Sequence, residues 1–200
     1  MDENSVAADP IVQLGAWLEE ARTAGQPLPE AMTVATASAD GEPAARMVLL
    51  RGLDHRGVVF FTDRSSAKGR DLSENPKAAV VFHWLVPRHR QVRLMGPVET
   101  VSDAESDAYW ASRPVGARRS AIASHQSEVI PDRKSLEEQV SELARTFPAE
   151  ADLQRPVRWG GYRIVPHTVE LWEEQPDRLH DRLRYRRRGD GHWLIERLAP

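Results

Sequence analysis

Four stretches of this chain gather cations, hydroxyls and planar groups at spacings suited to an anionic aromatic ligand. Arg46-Met47-Val48-Leu49-Leu50-Arg51 reads as a strand with a guanidinium at each end. Ser65-Ser66-Ala67-Lys68-Gly69-Arg70 brings hydroxyls, an ammonium and free backbone N–H groups to a helix start, a natural cradle for phosphate. Arg88-His89-Arg90-Gln91-Val92-Arg93 leads basic residues into a strand, and Trp172 is followed by the cluster Arg178-Leu179-His180-Asp181-Arg182. Each also has a plainer reading: strand-end charges in water, helix capping, a solvated sheet edge and a salt-bridged turn, in that order.

The rest of the sequence limits the chemistry. There is no cysteine, which excludes disulfides, thiolate metal sites and cysteine nucleophiles. No HExxH, GxSxG, P-loop or GxGxxG pattern occurs, so zinc proteolysis, serine hydrolysis, Walker-type nucleotide binding and the dinucleotide fingerprint lack support. A redox enzyme on such a chain must borrow an organic cofactor. A net charge of −3 over 200 residues points to no nucleic-acid partner. The longest apolar runs, such as 58–61, are far too short to span a bilayer, and the acidic start Met1-Asp2-Glu3-Asn4 is unlike a secretory signal. A cytoplasmic protein with no membrane partner and no metal is expected. Together these observations reach a planar ligand bearing phosphate and stop there.

The elements that must position these groups follow from patterning. Asp9-Pro10 is a good N-cap with proline at the first helical position, and Ile11, Leu14, Trp17, Leu18 and Ala21 share one face of a helix ending near Gly25. Strands are expected over 31–37, 45–51 and 58–62, joined by turns at Asp40-Gly41 and 54–57 into an antiparallel meander. A short helix over 66–75 is stopped by Pro76, after which strands resume over 78–84 and 91–101. Ser102-Asp103-Ala104-Glu105 has the form of a capping box starting a helix to about Ser112, and 135–138 repeats it. Closing strands are expected over 162–165, 169–172 and 193–197. Short strands with intervening helices point to a barrel closed by helices, in one domain of residues 9–200 after a flexible N-terminus of residues 1–8.

At these same residues the sequence resembles the pyridoxine/pyridoxamine 5'-phosphate oxidase family. The resemblance rests on ordered blocks: Arg46-Met47-Val48-Leu49-Leu50, Phe60-Phe61-Thr62, Lys68-Gly69-Arg70, Glu74-Asn75-Pro76, Arg90-Gln91-Val92-Arg93, Ser112-Arg113-Pro114, Ser124-His125-Gln126-Ser127, Trp159-Gly160-Gly161-Tyr162, Arg178-Leu179-His180-Asp181-Arg182 and Glu196-Arg197-Leu198-Ala199-Pro200. It runs from about residue 9 to the C-terminus.

The resemblance implies a mainly β fold with helices, a six-stranded antiparallel split β-barrel that forms a homodimer through its C-terminal region, with FMN bound where both subunits contribute. Carried over by position, Arg46, Met47, Val48, Leu49, Leu50, Arg51, Phe61, Thr62, Lys68, Gln91, Gln126, Ser127, Trp172 and Arg182 are the expected flavin contacts. Arg51, Tyr109, Arg113, Arg178, Leu179 and His180 are the expected substrate contacts, with Arg178 and His180 placing the ring over the flavin as the catalytic pair. If their segment is extended, those two point to the same side. The implied reaction is hydride transfer from the C4' carbon of a small phosphorylated pyridine to the flavin, with molecular oxygen reoxidising it to give hydrogen peroxide. Arg51 stands where the family usually has lysine, Ala67 where it often has arginine, and Ala117 where it often has serine. The alternatives are a relative acting on another ring, such as a dihydrophenazine carboxylate, and a carrier of FMN or pyridoxal 5'-phosphate that does not turn over.

Overall fold

The computed structural model describes residues 1–147 and 153–200. Among them lie α1 (Pro10–Thr23), β1 (Ala31–Ala37), β2 (Pro43–Leu49), β3 (Gly52–Asp54), β4 (Gly57–Asp63), α2 (Ala67–Glu74), β5 (Lys77–Trp84), β6 (Arg90–Thr100), α3 (Asp103–Ser112), α4 (Val115–Ala123), α5 (Arg133–Thr146), β7 (Trp159–Ile164), β8 (Thr168–Glu173), β9 (Asp181–Arg187) and β10 (Trp193–Arg197).

Most helices start where their caps dictate. The Asp9 carboxylate accepts the Ile11 N–H at 2.7 Å ahead of Pro10, and Ser102 with Glu105 completes a reciprocal capping box on α3. The pattern at 135–138 misplaces the start of α5: Asp132 is the cap and accepts the Ser135 N–H at 2.7 Å, so the helix begins earlier. Helix α4 has no such signal in the sequence, because Pro114 at its N-cap offers no side-chain acceptor.

Ten strands form where the patterning marks eight, β3 and β9 being the two it leaves out, and they do not make a simple meander. β1 pairs with β2 and β5, whereas β4 pairs with β3 and with β7, far along the chain. Six of the strands follow the path β2-β1-β5-β6-β7-β4, and β8, β9 and β10 extend the sheet beyond β6. No ladder joins β2 to β4 among the described residues, so the curled sheet is open along that seam. Strand β6 serves both parts, pairing with β8 over Arg90–Met95 and with β7 over Val98–Thr100. The partner changes at Gly96, where an added Cβ would lie 2.0 Å from the Val165 carbonyl oxygen, so only glycine fits.

One core fills the curl. The alternating faces of β1, β5 and β6 contribute Met32, Val34, Val80, Phe82, Val92 and Leu94, and α1 lays Leu14, Trp17 and Leu18 against them. Arg90 is not the solvated edge its sequence context indicated. It is buried, its Nε 2.6 Å from Glu173 and its Nη1 2.5 Å from Glu20, with the guanidinium 4.2 Å from the centre of the Trp17 ring. Residues 1–8, expected to be a flexible tail, contact the end of the sheet. The Met1 ammonium lies 2.6 Å from Asp181, the Tyr185 hydroxyl donates to the Ala7 carbonyl at 2.8 Å, and Arg197 donates to Glu3. No helix among the described residues is long and apolar enough to cross a membrane.

Candidate functional site

A cleft of about 870 Å³ opens along the unpaired seam. Its floor is Arg46, Met47, Val48 and Leu49 of β2 and Phe61 and Thr62 of β4; α2 adds Lys68, α3 with its C-cap adds Tyr109 and Arg113, and the loop after α4 adds Gln126 and Ser127.

The polar end centres on Lys68. This side chain is only 6% exposed, yet among the described residues its ammonium donates to neutral acceptors alone: Gln126 Oε1 at 2.7 Å, and Thr62 Oγ1 and Ser66 Oγ at 3.2 Å each. Thr62 Oγ1 in turn donates to Gln126 Oε1 at 2.8 Å. Burial, followed by the nearby Arg46 charge, pulls Lys68 down to about 8, while Asp63 and Asp71 act the other way. Arg46 donates to Thr36 Oγ1 at 2.6 Å, and its Nη2 lies 3.6 Å from Asp71. Ser66 caps α2, and the Ala67 N–H donates to Ser127 Oγ at 3.2 Å. A buried ammonium with no carboxylate hydrogen-bonded to it, beside a helix N-terminus, is suited to an anion.

The other end is an aromatic slab flanked by cations. Phe61 stacks on Tyr109 with centroids 4.2 Å apart and on Trp159 at 5.6 Å. Gly161 permits this approach, since a Cβ there would meet Phe61 Cε1 at 2.7 Å. Arg113 lies 4.7 Å from the Trp159 ring centre, its Nη1 buried without a hydrogen-bond partner among the described residues, and Arg51 lies 6.0 Å from that of Tyr109.

A second group stands apart from this cleft. Gln91, Trp172 and Arg182 are successive cross-strand partners on β6, β8 and β9. The Trp172 ring has His180 at 4.7 Å and His89 at 5.2 Å, edge-on at 76°. Arg182 is tied to Glu170 at 2.8 Å and donates to the Ala199 carbonyl at 3.0 Å. Leu50 is a core residue. None of Leu50, Gln91, Trp172, Arg178, Leu179, His180 and Arg182 lines the cleft.

The extended segment expected at Arg178 to His180 does not form. Residues 176–178 make a 3-10 turn in which Asp177 and Arg178 have φ of +57° and +61°, so the two-residue spacing no longer puts Arg178 and His180 on one side. Pro176 starts the turn; Leu179 is 70% exposed. The salt-bridged turn is also not made, because Asp181 pairs with the Met1 ammonium and with Arg197 instead. Residues that sequence reasoning gave no role include Asp63, Trp159, Arg158 and His89. Trp159 and His89 stand inside stretches the sequence singles out, whereas nothing in the sequence marks Asp63 or Arg158.

A β scaffold with a buried cationic cradle at one end of a cleft and an aromatic slab at the other defines a protein that holds a phosphorylated planar cofactor. The model of the pyridoxamine 5'-phosphate oxidase family matches residues 18–147, and that of the pyridoxine 5'-phosphate oxidase C-terminal dimerisation region matches residues 159–200. A pyridoxine/pyridoxamine 5'-phosphate oxidase of Cupriavidus pinatubonensis is 52% identical over all of this chain and 93% of its own, and one of Thermosynechococcus vestitus is 50% identical over 99% and 92%. The solved PhzG of Burkholderia lata 383, in complex with tetrahydrophenazine-1-carboxylic acid, superposes with a TM-score of 0.92 at 36% identity, covering 98% of this chain and 95% of that one. The chain belongs to the pyridoxamine 5'-phosphate oxidase family. It is an oxidoreductase, and FMN is its family's cofactor. The residues present fit that group: a cradle for the phosphate at Lys68 and apolar surface for a ring system along Met47 to Leu49.

Proposed function

We propose that this protein is a cytoplasmic homodimer that oxidises pyridoxamine 5'-phosphate or pyridoxine 5'-phosphate to pyridoxal 5'-phosphate. The observation that carries the reading is that one cleft holds two cationic groups, Lys68 with Arg46 and Arg113 with Arg51, the second of them set around aromatic rings. Two anion subsites suit a phosphorylated cofactor and a phosphorylated substrate together.

Lys68 and Arg46 hold the FMN phosphate, with Thr62, Gln126 and Ser127 fixing its hydrogen bonds. Met47, Val48, Leu49 and Phe61 offer the ring apolar surface. Arg113, Arg51 and Tyr109 receive the substrate phosphate. When bound, FMN supplies the two-electron acceptor and passes the electrons to oxygen. Gln91, Trp172 and Arg182 do not line the cleft of their own chain, so in the dimer they serve the partner's, and Arg178, Leu179 and His180 come with them to orient the pyridine ring. The six-strand path open at the β2–β4 seam is then the split barrel, with the second subunit closing the seam. For the amine the net reaction consumes one oxygen and one water and releases hydrogen peroxide and ammonia; the alcohol needs oxygen alone.

The likeness to PhzG favours a second reading, oxidation of a reduced phenazine carboxylate. A tricyclic carboxylate has no phosphate for Arg113 and Arg51 to hold. Peroxide release measured with pyridoxine 5'-phosphate, pyridoxamine 5'-phosphate and a dihydrophenazine acid separates the two, and turnover of the last alone would overturn the vitamin reading.

A further inference from the structure

The polar end of the cleft is assembled from two segments far apart in the sequence. One is the turn from β4 into α2, which carries Thr62, Ser66 and Lys68; the other is the loop after α4, which carries Gln126 and Ser127. Both are tied to one carboxylate. Asp63, 5% exposed, accepts the Ser65 N–H at 2.8 Å and the Ser65 hydroxyl at 2.6 Å on Oδ1. Its Oδ2 accepts Arg158 Nε at 2.9 Å. The same guanidinium, through Nη2, donates to the carbonyls of Ile122 at 2.8 Å and Ala121 at 3.2 Å, with Ser124 at 3.4 Å.

These carbonyls are the last of α4, where a helix leaves acceptors unsatisfied and favours a cation. The last turn of α4 has no basic residue of its own, so Arg158 is the cation that closes it. In the loop leaving that turn, Ser127 adopts φ of +75°, a left-handed conformation that a non-glycine residue holds only when its surroundings impose it. Ser127 Oγ receives the Ala67 N–H and Gln126 Oε1 receives the Lys68 ammonium, so the loop end docks onto α2.

Asp63 lines the cleft, yet a carboxylate is a poor direct ligand for a dianion, and its two oxygens are already occupied by protein donors. We propose that Asp63 and Arg158 are a positioning pair that fixes the two walls of the phosphate end of the cleft relative to each other, and so sets the preference for the phosphorylated over the unphosphorylated flavin. Burial raises the Asp63 carboxyl, but the Ser65 hydrogen bonds and the Arg158 guanidinium outweigh it and hold it below its ordinary range, so the pair is charged at neutral pH.

The inference rests on the reading of Lys68 as the FMN phosphate site, and the experiment keeps the two apart. FMN and riboflavin are titrated by flavin fluorescence into the flavin-free parent, Asp63→Asn and Arg158→Lys proteins at pH 7, with the melting temperature of each flavin-free protein recorded. Both variants should weaken FMN by about tenfold or more, the scale of one charge-assisted hydrogen bond, while riboflavin affinity changes by less than about twofold. The double variant should lose little beyond either single one, since the two groups act as a unit. Equal losses for FMN and riboflavin, unchanged FMN affinity, or collapse of both variants in melting temperature would each overturn the proposal. A parent that binds no FMN would instead overturn the cofactor site itself.

Discussion

The Nε2 atoms of His83 and His89 lie 2.7 Å apart, and the other ring nitrogen of His89 lies 2.8 Å from the Glu174 carboxylate. His83 sits beside Gln91 across the β5–β6 ladder, and His89 lies edge-on to Trp172, so this chain of imidazoles borders the Gln91–Trp172 group. Burial and then the charge of His89 lower His83 from its ordinary 6.5. The unfolded chain therefore takes up that proton at higher pH than the folded one. The stability tied to neutral His83 is present above about pH 6.5 and lost as pH falls below it. Melting temperatures recorded from about pH 7.5 to 5 should show a shallower decline in His83→Gln than in the parent. Superimposable profiles would remove His83 from the acid response.

Lys68 makes the opposite end of the pH scale informative. Burial pulls it down to about 8, and a bound phosphate dianion favours its ammonium form, so binding above that pH takes up a proton. FMN affinity should fall as pH rises above about 8, by up to about tenfold per unit. Lys68→Met should abolish that slope and weaken binding at pH 7 by roughly 1.5–3 kcal/mol. Fluorescence titrations between about pH 7 and 9.5 test both; a slope that survives in the variant assigns the proton elsewhere.

The separation of the two residue groups on one chain predicts complementation between chains. Lys68→Ala and Trp172→Ala proteins should each be nearly inactive, but after unfolding and refolding together they should recover about a quarter of parental activity. Half of the dimers then carry both chains, and each of these has one intact site of two. Recovery of none would mean that each site takes its Lys68 and its Trp172 from one and the same chain.

Arg178 should matter to turnover and little to flavin. Arg178→Ala is expected to lower kcat/KM by on the order of 10²-fold, equivalent to roughly 2.7 kcal/mol of lost transition-state stabilisation, with FMN occupancy near that of the parent. Stopped-flow reduction of the bound flavin by pyridoxine 5'-phosphate reads the step directly. An unchanged reduction rate would remove Arg178 from the active site.

Local chemistry is legible in the sequence, and pairing across distance is not. Ser66 and Ser102 cap the helices their spacing foretells, because a cap is a relation between residues a few positions apart. The alternation of Met32, Val34 and Thr36 marks β1 and its buried face. Periodicity names no partner, however, and β4 pairs with β7 rather than with β2, its expected neighbour in the meander. Asp63 and Arg158 are 95 residues apart, and neither belongs to a motif. The turn at Asp177 and Arg178 needs two left-handed residues without glycine, which no propensity signals.

The double duty of β6 bears on where this chain can change its length. Its outward residues Gln91 and Arg93 alternate with the buried Val92 and Leu94, and the strand runs without a break from Arg90 to Thr100. One inserted residue before Gly96 would turn Val92 and Leu94 out of the core, Gln91 and Arg93 into it, and push the Val165 carbonyl against a side chain. The hairpin between β9 and β10, by contrast, turns through the exposed residues 188–191 and carries none of the residues of the cleft or of the Gln91–Trp172–Arg182 group. Insertions and deletions should accumulate at that tip and be purged from residues 90–100, making β6 the molecule's fixed ruler.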